Sequence, residues 1–347
     1  MILNHTDVDQ TIDRDERGRF SKELVVVRTQ SKSGVEVPLA MVRKRRSNAV
    51  ETRAPVLLIH GYGQNRYTWH LPSRSFSNHL AQAGFDVFNL DLRGHGRSRH
   101  LGARRPNHIT DFVREDVPAA VDEVRRLSGN RPVFLVGHSL GGLVSYAAAG
   151  PLNGAVAGVA TLGSPYLFTQ GSWPLRMLSG AMLALDRRSS FGQGAVGLKG
   201  FGEAMRLARV FVESPIFPLP IRGFARGSME AAVLDQHMSL AMDSGSIAVL
   251  RNMFLDAAEA RQRGHRLGGL YGYAGTFEAL NLPLLVIAGA EDDIAPPASV
   301  EPAFRFSRAL DKTYRIFPRG HIDLVIGRDS PSTVWPLLEG WLRARAK

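Results

Sequence analysis

The sequence predicts an α/β protein, a mostly parallel sheet of about eight strands with helices on both faces and a mainly helical insertion. Three observations predict it. Short apolar runs bounded by turn residues recur along the first half, helical three-to-four spacing separates them, and the strand pattern returns near the end after a long interruption.

Residues 24–28 and 35–42 read as an opening, antiparallel pair of strands with Lys32-Ser33-Gly34 as turn chemistry between them. Residues 56–59, 87–90, 133–136 and 156–162 are continuous apolar runs, the pattern of strands buried on both faces. Between them, Phe76, Leu80 and Ala83, and then residues 112–127, have the spacing of crossover helices. Pro118 must either kink the second of these or mark its true first turn. From about Pro165 to Gly275 the strands vanish and Gly and Pro punctuate short amphipathic stretches, so residues 165–275 are expected to form a cap inserted in a core of 1–164 and 276–347. Strands resume at 284–287 and 313–317, and a closing helix is expected over about 333–345. The first twenty residues are polar and charge-dense and read as a poorly ordered lead.

With 347 residues, 44% hydrophobic and 22% charged, the chain suits one large domain with an insertion, or two modest ones, and disorder is excluded. The absence of cysteine removes disulfides, thiolate zinc sites and a cysteine nucleophile, leaving an oxygen or an amine. No charge-free apolar stretch reaches about 18 residues, and the start carries acids where a signal peptide is apolar, so the expectation is a cytoplasmic protein with no transmembrane segment. Lys plus Arg number 43 against 32 Asp plus Glu, a net charge of +11. These cations are scattered and lack aromatic interleaving, so they read as solvated surface and not as a nucleic-acid site. No metal or organic cofactor is implied, and a homo-oligomer stays open.

The most informative stretch is the apolar run 133–136 followed by Gly137-His138-Ser139-Leu140-Gly141 and a helical pattern. A serine on a sharp strand-to-helix turn needs minimal side chains on either side, because strand and helix pass closely there. The helix start then places backbone N–H groups, first that of Leu140, where an oxyanion would form.

This arrangement resembles the α/β-hydrolase superfamily, and other segments carry the resemblance independently. His60-Gly61-Tyr62-Gly63 is similar to the family's oxyanion loop, which implies the N–H of Tyr62 as second donor. Asp91-Leu92-Arg93-Gly94-His95-Gly96-Arg97-Ser98 is similar to an architectural loop after the next strand, so His95 is not chosen for catalysis. A serine hydroxyl needs a base, and the base a carboxylate. Gly289-Ala290-Glu291-Asp292-Asp293-Ile294-Ala295-Pro296 is similar to the family's acid turn and selects Asp292, with Glu291 and Asp293 as adjacent alternatives. Gly320-His321 selects His321 as base out of eleven histidines; His138, next to the serine, is expected to point away from it. Aspartate nucleophiles of epoxide hydrolases and haloalkane dehalogenases are excluded by Ser139. Asp116-Val117-Pro118-Ala119 and His321-Ile322-Asp323 are similar to the acid-lipase branch, where Asp323 either caps a turn or steers His321.

In the insertion, Trp173, Leu175, Leu178 and Met182 form an apolar stripe, read either as the lining of an acyl tunnel or as cap core. The resemblance implies a serine carboxylic-ester hydrolase acting on small-molecule or lipid-like acyl esters through an acyl-enzyme. Acyltransferase or thioesterase chemistry on the same triad is the alternative, and a non-catalytic binding protein of the same fold is the third.

Overall fold

The computed structural model describes residues 1–32, 34–167, 177, 180, 195–197, 221–262 and 271–346. Its main sheet has nine strands: β1 (Ile2–Asp13), β2 (Glu16–Gln30), β3 (Glu36–Arg46), β4 (Pro55–Ile59), β5 (Asp86–Asp91), β6 (Val133–His138), β7 (Val156–Leu162), β10 (Leu284–Gly289) and β11 (Lys312–Phe317). β8 (Ala195–Gly197) and β9 (Ser244–Ser246) pair separately, inside the stretch expected to lack strands. The sheet order is β1-β2-β3-β5-β4-β6-β7-β10-β11. β1, β2 and β3 enter antiparallel, and every pairing from β5 to β11 is parallel.

The apolar runs become central strands because both faces are covered. Along β4, Leu57 and Ile59 pack into one core with helices α4 (Val117–Leu127) and α5 (Leu140–Ala149), while Val56 and Leu58 pack into another with α1 (Phe76–Gln82) and the closing helix Val334–Arg343. Two short helices, α2 (Gly96–His100) and α3 (Ile109–Asp111), lie between. Pro118 sits at the start of α4, directly after a π-helical turn over Phe112–Asp116, so the helical chain runs on through it with its hydrogen-bond ladder widened just ahead of the proline. Among the described residues, no helix is long and apolar enough to cross a membrane.

The ordered lead is a correction. Residues 2–13 form β1, paired with β2 through a turn at Arg14, which has φ 49°. β1 shows no apolar alternation because it lies at the sheet edge with most side chains in water, so periodicity carries no signal there. Its C-terminal end is nonetheless pinned. Ile12 and Phe20 are buried, and the buried Arg74 guanidinium donates to Asp13 (2.6 Å) and to both carboxylate oxygens of Glu230 (2.8 Å each).

Candidate active site

All three predicted polar residues come from the C-terminal ends of parallel strands, where loops of an open α/β sheet converge. Ser139 follows β6 at once and is held at φ 53°, ψ −120°, a conformation costing a non-glycine residue roughly 1–3 kcal/mol. Its N–H donates to Leu162 O at the end of β7 (3.0 Å), and its carbonyl accepts from Gly142 and Leu143 as α5 begins. Leu140 is the first residue of α5, so its N–H has no carbonyl one turn back to bond.

The oxyanion-loop candidate lies directly behind the serine. A Cβ on Gly61 would stand 3.2 Å from Ser139 Cβ. His60 is buried and spans this loop to the next: Leu92 N–H donates to His60 Nε2 (3.1 Å), and its Nδ1 lies 2.9 Å from Gly61 O. Gln64 accepts from Gly61 N–H (3.3 Å) and from Thr68 Oγ1 (3.1 Å). The Tyr62 hydroxyl donates to Ser246 O in β9 (2.9 Å), so the loop is tied to the insertion. A further tie is Asp243, whose N–H donates to Gly63 O (2.7 Å) while its carboxylate accepts from Gly96 N–H (2.8 Å) and pairs with Arg99 (2.5 Å).

His321 is buried and donates from Nδ1 to Asp292 Oδ2 at 2.8 Å. Asp292 Oδ1 accepts from the N–H groups of Ile294 (2.9 Å) and Ala295 (2.7 Å), which fixes the carboxylate. Its neighbour Asp293 turns elsewhere and accepts from Arg222 N–H (2.6 Å) and Gly223 N–H (3.0 Å). Gly163, after β7, faces the pair: a Cβ there would stand 3.0 Å from Asp292 Oδ2 and 3.1 Å from His321 Nδ1. Burial opposes a charged imidazole, but the charge of Asp292 and its hydrogen bond outweigh it, with Asp293 and Asp323 adding to them, and the His321 pKa lies above its ordinary value of 6.5. A base must be neutral to accept a proton, so kcat/KM is expected to rise with pH through a midpoint above 6.5. Asp292→Asn is expected to move that midpoint down; an unmoved midpoint would show that another group titrates.

Three supporting residues escaped sequence reasoning, wholly or in part. His138 does not simply turn away from the site. Its ring lies 4.7 Å from the His321 ring, and Nε2 donates to His321 O (3.1 Å); burial, then the neighbouring His321, pushes its pKa well below the ordinary value. Asp323 accepts from Gly320 N–H (3.0 Å) and from Ala225 N–H (3.3 Å), bracing the turn that carries His321 against residues of the insertion. Asp116 accepts from Arg93 Nε (2.6 Å) and Arg93 N–H (2.9 Å), so the Asp-x-Pro-Ala segment anchors the loop after β5. His95 is buried in that loop, with Nδ1 2.9 Å from Arg93 O. Trp173, Leu175, Leu178 and Met182 lie outside the described residues.

Chemically, the arrangement brings a serine on a strained turn and a carboxylate-held imidazole to the same end of the sheet, with the Leu140 N–H at the start of α5. Comparisons with known proteins bear on the fold. Residues 54–192 match a family model described as the alpha/beta hydrolase fold. The chain is 24% identical to the poly(3-hydroxyalkanoate) polymerase subunit PhaC of Haloferax mediterranei, over 98% of this chain and 69% of that protein. It is 31% identical to Lipase member K of Mus musculus, over 29% of this chain and only 28% of that lipase. Among solved structures it is similar to a thermophilic esterase from Thermogutta terrifontis, with TM-score 0.61 and 21% identity over 93% of this chain and 99% of the esterase.

Proposed function

We propose, because this chain belongs to the α/β-hydrolase superfamily, that it is a serine carboxylic-ester hydrolase of the esterase or lipase kind, cleaving hydrophobic acyl esters through an acyl-enzyme. The observation that carries the reading is the Asp292–His321 contact of 2.8 Å, with the His321 ring 4.7 Å from that of His138, the residue before a serine held at φ 53°. In this mechanism Ser139 attacks the ester carbonyl as His321 takes its proton, and Asp292 stabilises the imidazolium. The N–H groups of Tyr62 and Leu140 receive the developing oxyanion. His321 then protonates the leaving alcohol, and water repeats the sequence on the acyl-enzyme. Residues 165–275 act as a cap over a core of 1–164 and 276–347, and the stripe Trp173, Leu175, Leu178 and Met182 contacts the acyl chain.

The likeness to the polymerase subunit over 98% of this chain supports a second reading, in which an alcohol replaces water in the second half. The two share every residue of the first half and differ in how far water is kept from the acyl-enzyme.

The test is a series of p-nitrophenyl esters with acyl chains from about two to about sixteen carbons, assayed with and without an added primary alcohol. Turnover with an optimum beyond the shortest chains is expected, with the free acid as main product. Ester rather than acid in the presence of alcohol would favour acyl transfer. A serine that takes up a fluorophosphonate label while no ester turns over would sink the substrate class and leave the triad standing.

A further inference from the structure

On the β1–β2–β3 side of the sheet, away from the triad, lies a groove of about 510 Å³ between the edge hairpin and the turn that follows the oxyanion loop. That is the size range of small-molecule sites, roughly 300–1,000 Å³. The groove is built around cations. Lys22 on β2 stands directly opposite Lys44 on β3, so two ammonium groups share one face of an antiparallel ladder. Like charges so placed destabilise a sheet. Arg66 and Arg97 also line the groove.

The charges are poorly compensated from within. Lys44 is buried, and its donors go to Gln10 Oε1 (2.8 Å), Asn78 Oδ1 (2.6 Å) and the His70 ring (3.2 Å), all neutral acceptors. Burial first, then the charges of Lys22 and Arg66, hold its pKa well below the ordinary lysine value. Lys22 and the exposed Arg97 guanidinium have no carboxylate partner among the described residues. The nearby carboxylates are spoken for: Asp91 holds Arg66 at 2.5 Å, and Asp9 holds Arg17 at 2.6 Å. Val8, Leu24, Val42 and Tyr67 supply apolar wall beside the charges.

We propose that this groove binds a small organic anion, its carboxylate or phosphate head met by Lys22 and Arg97 within the field of Lys44 and Arg66, and its apolar body lying against Val8, Leu24, Val42 and Tyr67. An anion there neutralises the unfavourable Lys22–Lys44 pair and gains charge-assisted hydrogen bonds from donors that have no carboxylate partner among the described residues. The site is separate from the proposed ester chemistry and does not depend on it.

The experiment is calorimetric titration of the intact chain with hexanoate, hexyl phosphate, inorganic phosphate and hexanol, repeated on Lys22→Met/Arg97→Met. The expected result is that one of the two hexyl anions binds and hexanol does not, with at least about tenfold weaker binding in the double variant. Preference for hexanoate assigns a carboxylate ligand, and preference for hexyl phosphate a phosphate ester. Binding of hexanoate at the triad as a product analogue would survive the double substitution, so equal affinity in both proteins overturns the proposal. So does equal binding of hexanol, or no binding by either hexyl anion up to concentrations on the order of 10 mM. Removing one member of a like-charged pair is expected to leave the melting temperature unchanged or higher; should the double variant fail to fold, Lys22→Met alone carries the comparison.

Discussion

Ser139→Ala lowers kcat on the best p-nitrophenyl ester by about a million-fold, because loss of a nucleophile removes the acyl-enzyme route and leaves only what the oxyanion donors and binding provide. Folding is expected to be unaffected, since alanine meets the same φ of 53° with no larger side chain. Asp292→Asn belongs to the same experiment. The Nδ1 proton of His321 is oriented by the 2.8 Å bond to Asp292, and an amide there inverts the preferred tautomer, for a loss of about 10⁴-fold. Asp293→Asn is the matched control, because that carboxylate is engaged with the backbone of Arg222 and Gly223. A fall within about tenfold for Ser139→Ala would mean that the hydrolysis observed runs through some other group. Equal losses for Asp292→Asn and Asp293→Asn would place the orienting charge on the turn as a whole.

The candidate chemistry was legible because Ser139 and Asp292 lie just past β6 and β10, strands buried along their whole length, and His321 just past the more exposed β11. Buried strands are the easiest elements to find, so Ser139 could be placed from its strand-turn-helix pattern, while Asp292 and His321 were selected by the resemblance of their turns to those of the α/β-hydrolase superfamily. What braces them was legible only in part: Asp323 was read as a cap for a turn or a guide for His321, and it accepts from Gly320 N–H. His138 meets His321 across two strand ends, and Asp323 meets Ala225 across the junction between core and insertion. No spacing in the sequence encodes those meetings. Pro118 was legible to within a choice of two, since its missing N–H fits a kink or a first turn, and the two meet there: α4 begins at Val117 straight after a π-helical turn. β1 was misread for the opposite reason. A strand wetted on both faces has no hydrophobic period, and its partner β2 was seen only where it enters the core, over 24–28 of its full span Glu16–Gln30. The Lys22–Lys44 pairing depends on the register of that hairpin, so the cationic groove is visible only once the strands are in place.

Gly141→Ala is expected to destabilise the protein by more than about 3 kcal/mol, beyond the usual range for a single added methyl group. The reason is what the new Cβ would meet: Ile59 O, far inside van der Waals contact, and His60 O at 2.7 Å. These are backbone atoms of β4 and the oxyanion-loop candidate, and no side-chain rotation can clear them. Gly137→Ala is expected to be as severe, with the added carbon driven into the backbone of Gly141 and Gly142. Gly340 makes the comparison fair. It lies inside the closing helix Val334–Arg343 with nothing within 4 Å of its Cβ position, so Gly340→Ala should stabilise by up to about 1 kcal/mol through helix propensity. Urea denaturation of the three variants measures the contrast directly. Should Gly141→Ala fall within about 1 kcal/mol of the parent, β4 and α5 are not pressed together as closely as this geometry requires, and the positioning of Ser139 on the turn between β6 and α5 would need another account.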